Sequence, residues 1–312
     1  CVPWRASLDS GPAIVRGRPL LLAPARAAVF HQPVPTFTHD ALEFAYETAG
    51  HPELPAVVLL HGFTSDLRMW HPVAEELARR YFVVMPDLRG HGRSAAPEDL
   101  NAYTAEALAG DVLSLLDHLE LEVCALAGCS FGGMIALQVA VTSPGRLAAL
   151  AVSDAGAAYA HPRYDDRYWQ RERALDASTE VVRKFGTAEL GRRAARGLAD
   201  PFLARGLRER YARLSADGWV GCARVRKERP DLLPVLRSRL TMPVLIAYGE
   251  DDPVRCAAEV MADELPAARV LMVRGAGHGL PVVAPHTYAR ELLRFLEDVE
   301  EGRDVAGRRT GG

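Results

Sequence analysis

Three short segments hold side chains that could act together as nucleophile, base and acid. Gly128-Cys129-Ser130-Phe131-Gly132-Gly133 sets a serine between glycines two positions before and two after. A neutral serine hydroxyl is a poor nucleophile, so it needs a base that titrates near pH 7 and a carboxylate to orient that base. Among ten histidines, His278 stands out in Gly275-Ala276-Gly277-His278-Gly279, whereas His61, His91, His118 and His286 read as turn, surface or helix residues. Gly249-Glu250-Asp251-Asp252-Pro253 supplies a cluster of acids, with Asp252 the expected partner and Asp251 and Asp154 its rivals. The ordinary roles to weigh against these are helix N-capping for the serine and capping of a helix or turn for the carboxylates. If the three act as a unit, their chemistry is acyl transfer through a covalent intermediate on Ser130.

The elements around these residues must bring them to one place. Phe37, Leu42, Phe44 and Tyr46 alternate about His39 and Asp40 as a pair of opening strands, and Ala56 to Leu60 is a continuous apolar run, as expected of a strand buried on both faces. Helical patterns at His71 to Arg80, Thr104 to Leu119 and Phe131 to Val141 alternate with strand patterns at Tyr81 to Met85, Val123 to Ala127 and Leu147 to Val152. The pattern resumes with strands at Pro243 to Tyr248 and Arg269 to Val273 and helices at Cys256 to Leu265 and Pro285 to Glu300. Repeated strand-then-helix order predicts an α/β fold with a mostly parallel sheet between helices. It also places Ser130, the acid cluster and His278 just after strand ends, at the carboxyl edge where open α/β sheets keep their sites. Ser130 falls between a buried strand and a helix, the context of a nucleophile elbow, where a strained turn lifts the hydroxyl out of the sheet.

Between these halves the order breaks. Residues 155–240 are helical in pattern and carry 17 Arg and 2 Lys against 11 Asp and Glu, a surplus of eight positive charges on a chain of net charge −3. Such a segment is expected to be a helical insertion lying over the sheet. Its basic faces are either solvated surface or a field that steers anionic substrates. Residues 35–154 and 241–300 form the expected core, 1–34 an appendage without periodicity, and 301–312 a mobile tail.

Composition narrows the partners. Hydrophobic residues make up 49% and charged residues 25% of 312, which excludes collagenous and wholly disordered chains. A near-neutral balance leaves no footprint for nucleic acid or an anionic membrane. Five cysteines without a C-x-x-C pair indicate neither a disulfide framework nor a zinc site, so no metal and no cofactor are expected and a cytoplasmic location fits best. The apolar patch at Leu20 to Ala23 is too brief for a signal peptide. Val123 to Gly145 is free of charge for the length of a membrane span, but its glycines and its change of pattern read as strand, turn and helix. The expected partner is a small-molecule substrate, a carboxylate-bearing one if the basic insertion steers.

From Thr36 to Glu300 the chain resembles the α/β-hydrolase superfamily. The order Ser130, Asp252, His278 is that superfamily's triad order. His61-Gly62-Phe63 is similar to its oxyanion-loop motif, and Asp87-Leu88-Arg89-Gly90-His91-Gly92-Arg93-Ser94 to the segment after its fourth strand. The resemblance implies an eight-stranded, mostly parallel sheet with helices on both faces and an inserted helical cap. It further implies an oxyanion hole from the backbone N–H groups of Phe63 and Phe131, with Asp87 and Arg89 holding the neighbouring loop. Gly218-Trp219-Val220-Gly221-Cys222-Ala223, leading into Asp231 to Leu236 and Met242 to Ile246, is loosely similar to the late-cap region of 3-oxoadipate enol-lactonases and related esterases. Serine at the elbow disfavours the aspartate-based chemistry of haloalkane dehalogenases and epoxide hydrolases. Hydrolysis of a small ester or lactone is the leading expectation. Thioester, peptide or C–C bond cleavage with the same triad, and a non-hydrolytic member of the fold, remain alternatives.

Overall fold

The computed structural model describes residues 34–312, so the expected appendage at 1–34 lies almost wholly outside the described residues. Strands β1 (Thr36–His39) and β2 (Leu42–Ala49) form a hairpin whose two turn residues, Asp40 and Ala41, both have positive φ. Then come β3 (Ala56–Leu60), α1 (His71–Leu77), β4 (Phe82–Pro86), α2 (Ala105–His118), β5 (Cys124–Cys129), α3 (Phe131–Thr142) and β6 (Leu147–Ser153). The helical insertion holds α4 (Asp166–Ala195), α5 (Pro201–Ala212), α6 (Ala216–Glu228) and α7 (Leu236–Arg239). The chain returns through β7 (Val244–Gly249), α8 (Arg255–Glu264), β8 (Arg269–Val273), α9 (Leu280–Val283) and α10 (Pro285–Glu300) to a last strand, β9 (Gly307–Gly311).

These strands form one sheet in the order β1-β2-β4-β3-β5-β6-β7-β8-β9. The pairings of β2 with β1 and with β4 are antiparallel, and every other pairing is parallel. Successive strand residues face opposite sides. Val58, Leu60, Leu126 and Ile246 therefore join one apolar layer with α2, α3 and α8, while Val57, Leu59, Ala127 and Ala247 join the other with α1 and α10. The charge-free stretch resolves as β5, a turn and α3, a helix buried along almost its whole length. No helix among the described residues is long and apolar enough to cross a membrane.

Two expectations need correction. The sheet has nine strands among the described residues rather than eight, and the ninth lies in the segment expected to be a mobile tail. Gly307-Arg308-Arg309-Thr310-Gly311 has no apolar pattern, which is why periodicity missed it. Backbone pairing in parallel register along β8 forms the strand, from Arg269 opposite Gly307 to Val273 opposite Gly311. Buried Arg269 ties the approach to it, donating to the Val305 carbonyl at 3.1 Å and to Asp298 at 2.6 Å.

Candidate active site

The turn between β5 and α3 places Ser130 at φ 54°, ψ −114°, a strained backbone for a non-glycine residue. Strand and helix pack too closely there for side chains on the flanking residues. A Cβ on Gly128 would fall 2.3 Å from the Gly132 carbonyl oxygen, and one on Gly132 would fall 2.2 Å from that of Leu60. The Ser130 N–H donates to Ser153 O at 2.8 Å, tying the turn to β6. These contacts account for the glycine spacing, and the serine does not cap α3 through its side chain.

His278 follows β8 and Asp252 follows β7, and the fold brings both to Ser130. Ser130 Oγ lies 2.9 Å from His278 Nε2, and His278 Nδ1 lies 2.9 Å from Asp252 Oδ1. This arrangement assigns the tautomer with Nδ1–H donating to the carboxylate and Nε2 facing the serine hydroxyl. Burial by itself raises the Asp252 carboxyl pKa. The hydrogen bond and charge of His278, with smaller help from the Val254 N–H and Asp154, outweigh it and leave Asp252 below the ordinary value.

Of the two rivals, Asp251 makes no side-chain hydrogen bond to His278 among the described residues, and its carbonyl accepts from Arg167. Asp154 sits beside Asp252, fully buried, with Oδ2 accepting from the Leu280 N–H at 2.8 Å and from the Cys129 thiol. Burial and the Asp252 charge push its carboxyl well above the usual range. Asp154, Asp252 and His278 also form the described residues' one close trio of metal-capable side chains. Within it His278 and Asp252 are hydrogen-bonded to each other, and Asp154 Oδ2 accepts from the Leu280 N–H.

The rings of Phe63 and Phe131 lie 6.1 Å apart between centroids, and neither backbone N–H has a hydrogen-bond partner among the described residues. The loop that carries Phe63 is braced by two histidines whose burial the sequence did not reveal. His61 Nε2 accepts from the Leu88 N–H at 3.0 Å while its Nδ1–H donates to Gly62 O at 2.9 Å. His91 Nε2 accepts from the Thr64 N–H at 3.2 Å, with Nδ1–H on Arg89 O. Desolvation pushes His61 down to about 4 and His91 down to about 3, so both are neutral acceptors at pH 7. His91 is thus corrected from a surface or turn residue to a buried strut.

Asp87 accepts from the N–H groups of Leu67 and Arg93, and Arg89 makes a two-pronged pair with Asp111. Both hold the loop beside the site, as the resemblance implied. The insertion closes on the same loop, Trp219 of α6 packing on Phe63 at 4.9 Å. Gly218 and Gly90 lie in backbone contact, since a Cβ on Gly218 would come within 2.1 Å of Gly90 O.

Arg171 of α4 was missed altogether. Its Nη2 lies 3.1 Å from His278 Nε2, and its Nη1 donates to Glu172 at 2.9 Å. No local signal separates it from the other arginines of the insertion, because it is the approach of α4 to the loop after β8 that makes the contact.

Residues 55–285 match the family described as alpha/beta hydrolase fold. The chain is 29% identical to 3-oxoadipate enol-lactonase 2 of Acinetobacter baylyi over 231 residues, 72% of this chain and 81% of that protein. It is 30% identical to 3-oxoadipate enol-lactonase 1 of the same organism over 207 residues, 64% of this chain and 72% of that one. Its fold matches a thermophilic esterase from Thermogutta terrifontis with a TM-score of 0.70 at 28% identity, covering 86% of this chain and 98% of the other. A family match over more than half of the chain and likenesses that run through most of each relative lead to one conclusion: this protein is an enzyme of the alpha/beta hydrolase fold family.

Proposed function

We propose that this hydrolase cleaves a small carboxylic ester or lactone through an acyl-enzyme on Ser130. The observation that carries the reading is the unbroken relay from Ser130 Oγ through His278 to Asp252, each step 2.9 Å. Ser130 attacks the ester carbonyl while its proton passes to His278 Nε2. Asp252 stabilises the imidazolium without taking the proton. The N–H groups of Phe63 and Phe131 receive the developing oxyanion, donors worth a few kcal/mol each in such a site. His278 then returns the proton to the leaving alcohol, and in the second half it activates the water that releases the acid.

Two considerations favour an ester or lactone. Relatives similar to this chain over most of their length are named enol-lactonases, and a structural neighbour is an esterase. The elbow residue is serine, whose oxygen forms an acyl ester that water readily cleaves. A carboxylate would be expected there for attack on an alkyl carbon.

A fluorophosphonate probe tests the reading directly. Wild type is expected to take up one label and Ser130→Ala none, and a panel of ester, lactone and thioester substrates then identifies the acyl class. Equal labelling of the Ser130→Ala protein would remove Ser130 as nucleophile.

A further inference from the structure

Arg171 does something that acyl transfer does not require. With Nδ1–H given to Asp252, His278 Nε2 has a single lone pair, and two donors converge on it: Ser130 Oγ at 2.9 Å and Arg171 Nη2 at 3.1 Å. That lone pair must take the serine proton. A guanidinium at this distance competes for it, and its charge opposes the imidazolium that acyl transfer creates. Arg171 as it stands therefore restrains the base.

The surroundings carry a cationic surplus that calls for an anion. The Arg171 side chain is only 20% exposed and lines one cavity with Ser130, Tyr168, Glu172 and Arg229. Arg229 is buried, donates to the carbonyls of Ala158 and Gly156, and has no partner for Nε among the described residues. Buried Arg226 pairs with Glu172 and with the more exposed Asp176. Three guanidiniums and Lys227, which shares Asp176, thus stand against Glu172, Asp176 and the Asp252 carboxylate behind His278, a surplus of one positive charge beside the nucleophile.

Resting on acyl transfer at Ser130, we propose that Arg171 is the anchor for a carboxylate carried by the substrate, and that it holds His278 until that carboxylate draws it away. An ionised carboxylate accepts two parallel charge-assisted N–H bonds from the guanidinium fork, a stronger interaction than the single bond to a neutral imidazole. Binding the anion then achieves three things together. It fixes the substrate, frees the Nε2 lone pair for Ser130, and cancels the charge that would oppose the imidazolium. Neutral esters lack the means to move Arg171, so the enzyme discriminates against them at the base as well as in binding.

Two substrate pairs test this, because the carboxylate could lie on either side of the ester: 4-nitrophenyl hemiglutarate against 4-nitrophenyl valerate, and 4-acetoxybenzoate against phenyl acetate. Wild type is expected to prefer the acid of at least one pair by about tenfold or more in kcat/KM, and Arg171→Gln to bring that ratio to within about twofold. Arg171→Lys, with charge but no fork, should fall between. The distinguishing sign is that Arg171→Gln raises kcat on the neutral ester, since the base is released. A merely structural arginine would lower turnover of both members equally, and that result overturns the proposal, as does a preference that survives the substitution or none in either pair. If no ester is turned over, acyl transfer itself is in question, and the subsite is judged by calorimetry of glutarate with Ser130→Ala. Binding lost in Ser130→Ala/Arg171→Gln upholds the anchor, and equal or no binding with both refutes it.

Discussion

Asp154 and Asp252 stand as a pair of buried carboxyls behind His278 whose pKa values are displaced in opposite directions, Asp154 well above the usual range and Asp252 below it. Each has one oxygen with no conventional donor, Asp154 Oδ1 and Asp252 Oδ2. A single proton held on Asp154 and donated to Asp252 satisfies both, because two like charges so close and so buried do not both ionise. The division of roles follows from the neighbours. Asp252 has the imidazole to favour its charge, whereas Asp154 has a thiol and one backbone N–H.

This pairing makes the two asparagine variants unequal. In Asp154→Asn the amide donates to Asp252 and the amide oxygen still accepts from Leu280, so kcat should stay within about fivefold of wild type. Asp252→Asn leaves His278 without a charged partner, and kcat should fall by about 10³ to 10⁴. The reverse order, measured on an activated ester, would reassign the acid to Asp154.

Ser130→Ala and His278→Ala should each lower kcat by at least about a thousandfold, because members of such a relay act as a unit. The urea midpoint should change little, since neither side chain fills the core. Retention of a tenth of wild-type turnover by either variant would remove that residue from the mechanism.

Acid should destabilise the protein through the two buried histidines. Their folded pKa values lie near 4 and 3 against an ordinary 6.5, so below pH 6.5 the unfolded chain binds protons that the folded chain refuses. The histidines' contribution to stability is therefore fullest above pH 6.5 and declines as pH falls towards 4, the sense set by proton linkage. His91→Gln, which keeps an acceptor for Thr64 but does not titrate, should show a shallower loss between pH 7 and pH 5 in urea unfolding. Parallel curves for wild type and variant would mean that His91 is not a source of the acid loss.

Removing residues 302–312 should lower Tm by several degrees. The truncation strips the paired edge from β8 and takes away the carbonyl that receives Arg269, leaving a buried donor without its acceptor. A Tm unchanged by the truncation would show that β9 contributes nothing measurable.

The order of strands and helices was legible because it is written in local periods. Ala56–Leu60, Arg269–Val273 and Pro285–Glu300 lie where the apolar patterns put them, and the other elements of the expected core shift by a few residues at their ends. The elbow was legible for a related reason: a strand, a turn between glycines and a helix are neighbours in sequence, and the close approach that excludes a Cβ at 128 and 132 occurs within them. What local pattern does not encode is which distant segment will cover a residue. The burial of His61 and His91 depends on the fit of two separate loops, and the choice between Asp154 and Asp252 depends on which strand end faces the imidazole. Strand β9, drawn only from Gly, Arg and Thr, exists because an open edge of β8 offers backbone partners. Arg171 and His278 are 107 residues apart, and their contact arises when the insertion folds over the sheet. Strand β9 depends on backbone hydrogen bonding and the others on desolvation and through-space charge, all of which act between neighbours in space whatever their separation along the chain.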